Sequence, residues 1–198
     1  ETGMQDATFK QPKKYLDTVL RSKRITSAKD QVLLSLMTGV VNELCTKSLY
    51  SAYQAGMNWQ ISSIDDGILV QVSGMGDKQY KLRDHILLSI ELLHKYCPED
   101  VFNRVRTRML EGMAEYEVIR PFELLYSYLQ SDLNPKGHSV TALQKALESV
   151  GYDDLTAFIE NYFEAVSVST FSYGNITEDE VSLNAPKLHK MSAVDDYL

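Results

Sequence analysis

Met57-Asn58-Trp59-Gln60-Ile61-Ser62-Ser63-Ile64, then Asp65-Asp66-Gly67, then Ile68-Leu69-Val70-Gln71-Val72: the reading of this stretch decides the fold. Successive side chains of a strand point to opposite faces. Met57, Trp59, Ile61 and Ser63 therefore share one face, and Asn58, Gln60, Ser62 and Ile64 share the other. Asp65-Asp66-Gly67 is a turn signal, and the alternation resumes at Ile68, Val70 and Val72. The result is a hairpin with one mostly apolar face, which needs a second layer to keep that face from water.

The flanking sequence supplies helices. Ahead of the hairpin, Leu33, Leu36, Met37, Val40, Val41 and Leu44 recur at spacings of three and four, predicting a helix over 28–55 with one buried stripe. Ser27 is its expected N-cap, with Asp30 as the acidic partner three residues on. Gly56, free to adopt a left-handed conformation, ends it. Further back, 7–11 reads as a short strand closed by Pro12, which has no amide to donate. Beyond the hairpin, Gly74 and Gly76 close the second strand, and Asp77 is expected to cap a helix over 78–95 that buries Leu82, Ile86, Ile90 and Leu93. Pro98 and Pro121 suit first helical positions and open helices over 98–116 and 121–131. Asn134-Pro135-Lys136-Gly137 reads as a loop. Ser139 caps a helix ending at Gly151, Asp153 opens another that reaches Glu164, and 166–173 alternates as a strand. Strand, helix, hairpin, several helices and a last strand predict an α/β fold. It is a two-layer sandwich, a mostly antiparallel mixed sheet with helices packed on one face.

Composition narrows the function classes. The 198 residues are 44% hydrophobic and 24% charged, with 10 Gly, 5 Pro and a formal net charge of -7. Collagen-like, mucin-like and wholly disordered chains are excluded, and no apolar run approaches the ~20 residues that cross a bilayer. The acidic balance argues against a general nucleic-acid binder, which needs a surplus of Lys and Arg on one face. Basic residues cluster at 10–14, 21–24 and 104–108, and each cluster reads as a solvated loop or helix face. Cys45 and Cys97 make neither a disulfide framework nor a metal spacing. A single bridge and two reduced thiols both stay open. Glu1-Thr2-Gly3 reads as a vector remnant and 191–198 as an abrupt end. The expectation is a single α/β domain over 4–198, excised from a larger multidomain protein.

Motif by motif, little catalytic chemistry emerges. No two of His85, His94, His138 and His189 lie four residues apart, the spacing that sets two imidazoles around zinc on one helix face. Glu91 and His94 form a single Glu-x-x-His pair, whereas a carboxylate-bridged metal site needs two. Gly74-Met75-Gly76 lacks both the third glycine of a dinucleotide fingerprint and the Gly-Lys-Ser/Thr ending of a P-loop. There is no Gly-x-Ser-x-Gly elbow. Arg104 and Arg108 share a helix face that can hold an acidic partner or stay solvated. Asn175-Ile176-Thr177 is a glycosylation sequon, with Asn175 as the acceptor.

One constellation is specific. Ser51-Ala52-Tyr53-Gln54-Ala55-Gly56-Met57-Asn58-Trp59 precedes Gly67-Ile68-Leu69-Val70-Gln71-Val72-Ser73-Gly74 and then Asp77-Lys78-Gln79. Arg120-Pro121-Phe122 and Gly174-Asn175-Ile176-Thr177 follow in order. Together these segments resemble the insulinase/pitrilysin family of zinc metallopeptidases, and within it the third, or middle, homologous domain.

The resemblance implies four homologous α/β domains in two halves that enclose a chamber for unfolded peptides. Catalysis would belong to the first domain, whose His-x-x-Glu-His motif and downstream glutamate bind zinc. This chain contains no His-x-x-Glu-His, so no catalytic residue and no metal ligand is carried over. Zinc is expected in the parent only. The expected role is a non-catalytic part of the chamber wall of a zinc metalloendopeptidase, with the other domains of the same polypeptide and unfolded peptides as partners. The alternative is a domain of an inactive paralogue used for protein binding. Tyr50, Tyr53 and Trp59 can present aromatic surface to substrate or to a neighbouring domain. The sequon and the vector-like start tilt the expected setting toward secretory or extracellular rather than cytosolic.

Overall fold

The computed structural model describes residues 13–75, 77–116, 129, 133–134 and 137–186. The chain forms β1 (Lys13–Ser22), α1 (Ala28–Ser48), α2 (Tyr50–Gln54), β2 (Asn58–Ile64), β3 (Gly67–Met75), α3 (Gln79–Leu92) and α4 (Glu99–Tyr116). It continues with α5 (Val140–Ser149), α6 (Tyr152–Tyr162), a single 3-10 turn (Phe163–Ala165), β4 (Val166–Gly174) and α7 (Glu178–Leu183). The sheet order is β2-β3-β1-β4, and every pairing among the described residues is antiparallel. The α/β sandwich expected from sequence is the fold observed. The strand expected over 7–11, Gly76 and, apart from the helical Leu129, the helix expected over 121–131 lie outside the described residues.

The largest correction concerns β1. The sequence reading places no element over 13–22, yet these residues form a strand paired along both edges, with β3 on one side and β4 on the other. Its burial alternates, and the inward positions are Lys14, Leu16, Thr18, Leu20 and Ser22. Three of these five are polar, so the apolar period that reveals a half-buried strand is missing. Leu16 and Leu20 are fully buried, each worth about 1.5–3 kcal/mol over an exposed side chain. They lie beside Val72 and Ile68 of β3 in the ladder. Tyr162, at the end of α6, sends its hydroxyl 2.8 Å to the Leu20 carbonyl and ties the helical layer to the central strand.

The hairpin forms where expected. Asp65 and Asp66 make the turn, while Gly67 is already the first residue of β3, paired with Ile64 and Arg21. A Cβ at Gly67 would stand 2.0 Å from the Leu20 carbonyl oxygen. Glycine is needed there for the close approach of β1 rather than for a left-handed turn. Gly56, by contrast, does adopt a φ of 80°, as its place after α2 requires.

The capping box at the start of α1 is as read. Asp30 N–H donates to Ser27 Oγ, and Ser27 N–H donates to Asp30 Oδ2 at 2.9 Å. The helix does not run unbroken to 55. Leu49, itself buried, leaves helical dihedrals and separates α1 from α2. Nor does α1 bury a single stripe. Leu34 and Thr38 are buried along with Val32, Leu33, Leu36, Met37, Val40, Val41 and Cys45, because the helix lies between the sheet on one side and α4, α5 and α6 on the other. Leu82, Ile86, Ile90 and Leu93 are buried as expected. Ser139 caps α5 by accepting from Ala142 N–H. Thr177 and Glu180 form a capping box that starts α7, an element the sequence reading did not anticipate.

Asp77 is not the cap of α3. That position belongs to Lys78, which makes no side-chain capping bond. Asp77 Oδ1 instead accepts from Lys14 Nζ at 2.8 Å, and Glu180 Oε1 accepts from the same ammonium at 3.0 Å. Lys14 therefore joins the central strand to the entrance of α3 and to α7. Burial by itself would lower the Lys14 pKa, and the bonds to Asp77 and Glu180 outweigh it, leaving the pKa above its usual 10.5. The same hydrogen bond lowers the Asp77 pKa below its usual 3.8. A raised lysine pKa stabilises the fold fully below 10.5, and that stabilisation is lost as pH rises through the folded value. A lowered carboxylate pKa stabilises above 3.8, and that stabilisation is lost as pH falls through the folded value. The urea midpoint of the wild type relative to Lys14→Met is expected to fall outside this window at both ends. A midpoint difference that does not vary with pH would show that these ion pairs contribute nothing to stability.

Candidate functional site

The residues screened for chemistry do not converge on a reaction centre. Among the described residues, no three of His, Cys, Asp and Glu come together in a way that could hold a metal ion. The His94 ring sits on the Glu91 backbone carbonyl, so the Glu-x-x-His pair does not bring imidazole and carboxylate together. His189 lies outside the described residues. The described residues thus do not fit a zinc site. Cys45 and Cys97 are both free thiols, and burial pushes both pKa values up, away from reactive thiolates. Gly74 is part of β3, a strand end rather than a phosphate loop.

Among the described residues, Arg21, Arg24, Arg104 and Arg108 of the basic clusters are ion-paired yet stay exposed, as the reading of solvated faces expects, and Lys14 departs from it. Lys14 is buried in the ion pairs described above. Arg21 pairs with Asp66 at 3.6 Å and Arg24 with Glu164 at 2.7 Å. On α4, Arg104 reaches Glu43 of α1 at 2.7 Å and Asp100 at 2.7 Å, while Arg108 reaches Glu43 at 3.4 Å. The hydrogen bond from Arg104 holds the Glu43 carboxyl below its usual range. The acidic partner of these two arginines is a neighbouring helix. An open cleft of about 460 Å³ lies between the start of α1 and the length of α6. Lys29 pairs there with Asp154 at 2.7 Å.

The three aromatic residues singled out from sequence differ in exposure. Tyr50 and Tyr53 stand exposed on α2. Trp59 is half-buried and packs against the core from the helix-facing side of β2, opposite Val72. No ring contact joins them among the described residues. Asn175 is exposed at the end of β4, and its backbone N–H donates to the Lys13 carbonyl at 3.1 Å.

A different aromatic surface is present, on the face of the sheet turned away from the helices. Tyr15 and Tyr173 are opposed in the β1–β4 register, and their rings stack at 4.5 Å with an interplanar angle of 2°. Phe171 lies 5.4 Å from Tyr173, and Lys13 Nζ stands 4.7 Å above Tyr15. Phe171 is 65% exposed and Tyr173 42%. The sequence signal was there, since Phe171 and Tyr173 occupy alternate positions of a readable strand. Their partner Tyr15 lies on the strand that was not read.

Comparison with known proteins places this arrangement. The family described as the middle or third domain of peptidase M16 matches residues 4–146. The insulin-degrading enzyme of Drosophila melanogaster is 23% identical over 152 residues, which cover 74% of this chain and 15% of that enzyme. The chain thus spans about a seventh of that relative's length. Among solved structures, pitrilysin superposes with a TM-score of 0.79 at 19% identity, covering 92% of this chain and 19% of pitrilysin. A peptidase M16 inactive domain from Pseudomonas fluorescens superposes with a TM-score of 0.63 at 16% identity, covering 89% of this chain and 44% of that one. These likenesses show the fold, and the family match over most of the chain shows the lineage. The chain belongs to the peptidase M16 family, the insulinase and pitrilysin group, as its middle or third domain.

Proposed function

We propose that the chain is a non-catalytic middle domain of an insulinase-like zinc metalloendopeptidase and forms part of the wall of a peptide-degrading chamber. The observation that carries this reading is the family match over residues 4–146. It is supported by a sheet whose face turned away from the described helices carries exposed aromatic side chains. Under this reading zinc and the general base lie in another domain of the parent. The partners of this chain are the other domains of its polypeptide and unfolded peptides. A second reading, a domain of an inactive paralogue that binds proteins, is favoured by the structural likeness to an inactive M16 domain.

The two readings differ in the parent's first homologous domain. Sequencing the transcript upstream of residue 4 is expected to reveal an intact His-x-x-Glu-His motif. A degraded motif would make the parent a pseudoenzyme and leave binding as the function. Either way the chain itself is expected to fold without metal. Its circular dichroism should not change on adding EDTA, and a loss of helical signal would place a structural metal in this domain.

A secretory or extracellular setting completes the proposal, on the strength of the Asn175 sequon. Expressed through the secretory pathway of cultured cells, the chain is expected to lose mass on treatment with an N-glycosidase. The Asn175→Gln variant should show no such change. An unmodified wild type would count against that setting.

A further inference from the structure

The sheet has two edges, and the phase of its hydrogen bonds separates them. Asn175 N–H bonds to the Lys13 carbonyl. In an antiparallel ladder, opposed pairs that exchange hydrogen bonds alternate with pairs that do not. With Lys14 opposite Gly174, the bonded pairs are therefore Tyr15 with Tyr173, Asp17 with Phe171, Val19 with Ser169 and Arg21 with Ser167. The N–H and C=O groups of Val168, Thr170 and Ser172 then point away from β1, toward the open side of β4. No partner for these groups is found among the described residues.

The same reasoning applied to the far edge gives a different result. Ser22 N–H bonds to the Asp66 carbonyl at 2.8 Å, which sets β3 in phase with β1. Through the β2–β3 register it turns the N–H and C=O groups of Met57, Trp59, Ile61 and Ser63 outward. Two of these sites are already occupied. The Ile61 carbonyl accepts from Asn42 Nδ2 of α1 at 2.8 Å, and Met57 N–H donates to the Ala52 carbonyl of α2 at 3.2 Å. The helical layer thus closes the β2 edge at two points. β4 also lacks the usual devices that blunt an edge, since Val166-Ser167-Val168-Ser169-Thr170-Phe171-Ser172-Tyr173-Gly174 contains no charge and no proline.

We propose that the open edge of β4 docks an extended peptide segment as a fifth strand, with its apolar side chains laid over Phe171 and Tyr173. Backbone groups of Val168, Thr170 and Ser172 supply the ladder, so binding is tolerant of sequence. The exposed aromatic pair supplies the preference for apolar or aromatic residues at alternate positions of the peptide. This inference rests on the chamber-wall reading and names the part of the wall that touches peptide.

The test uses a fluorescein-labelled peptide of about ten residues, alternating Phe or Val with Ser or Thr, followed by fluorescence anisotropy and by amide hydrogen exchange. The peptide is expected to protect the amides of Val168, Thr170 and Ser172 and to leave those of β2 unchanged. Thr170→Pro removes an outward N–H without removing a bond to β1, and is expected to weaken binding about tenfold or more with unchanged circular dichroism. Should that variant fail to fold, Ser172→Pro and Phe171→Ser carry the same expectation. Protection of the three amides before any peptide is added means the edge is already covered, and overturns the proposal. A dimer in sedimentation that Thr170→Pro abolishes makes a second copy the occupant, and also overturns it. Binding with protection elsewhere overturns the edge while leaving the wall reading intact. No binding beside an intact His-x-x-Glu-His upstream overturns the edge alone, and no binding beside a degraded motif overturns both.

Discussion

The pairing of β1 along both of its edges is the constraint on which the rest of the structure depends. A strand whose inward positions include Lys14, Thr18 and Ser22 has no strong apolar reason to lie at the centre of a sheet. It lies there because β3 and β4 together take up its backbone groups, and a buried backbone group without a partner is costly. Lys14 then makes the arrangement specific. Its ammonium can be desolvated only where carboxylates reach it, and these come from Asp77, just after the hairpin, and from Glu180, near the far end of the described chain. The central strand, the hairpin and the last helix are therefore placed together or not at all.

The helical layer is organised around α1 in the same spirit. Packed between the sheet and three other helices, it buries residues around most of its circumference. Its exposed charges are spent on neighbours, as when Glu43 receives both Arg104 and Arg108. Ion pairs of this kind contribute little stability at a surface. Among the described residues, no helix covers the sheet face that carries Tyr15 and Tyr173, and no strand pairs with the outer side of β4.

Legibility differed between fold and surface for a physical reason. The hairpin, the Ser27–Asp30 cap, the end at Gly56 and the core of α3 are local features, set by side-chain period, capping chemistry and backbone freedom within a few residues. Each was readable and each is present. β1 was not readable because its inward face is stabilised by partners distant in the chain. Tyr50, Tyr53 and Trp59 drew notice as large aromatic side chains near a recognisable motif. On the sheet face turned away from the described helices, the rings that meet are Tyr15, Phe171 and Tyr173, and the β1–β4 register is what brings Tyr15 to the other two.

By itself the sequence determined the class of fold, the family it resembles and the absence of a His-x-x-Glu-His motif. All three are written in local pattern or in residue order. Tertiary structure alone decided which strand is central, where the basic residues find their acids and which sheet edge is left open. Those outcomes depend on strand order and hydrogen-bond phase. A one-residue change of phase would exchange the backbone groups that face solvent for those that face β1, and no local reading of Val166–Gly174 carries that information.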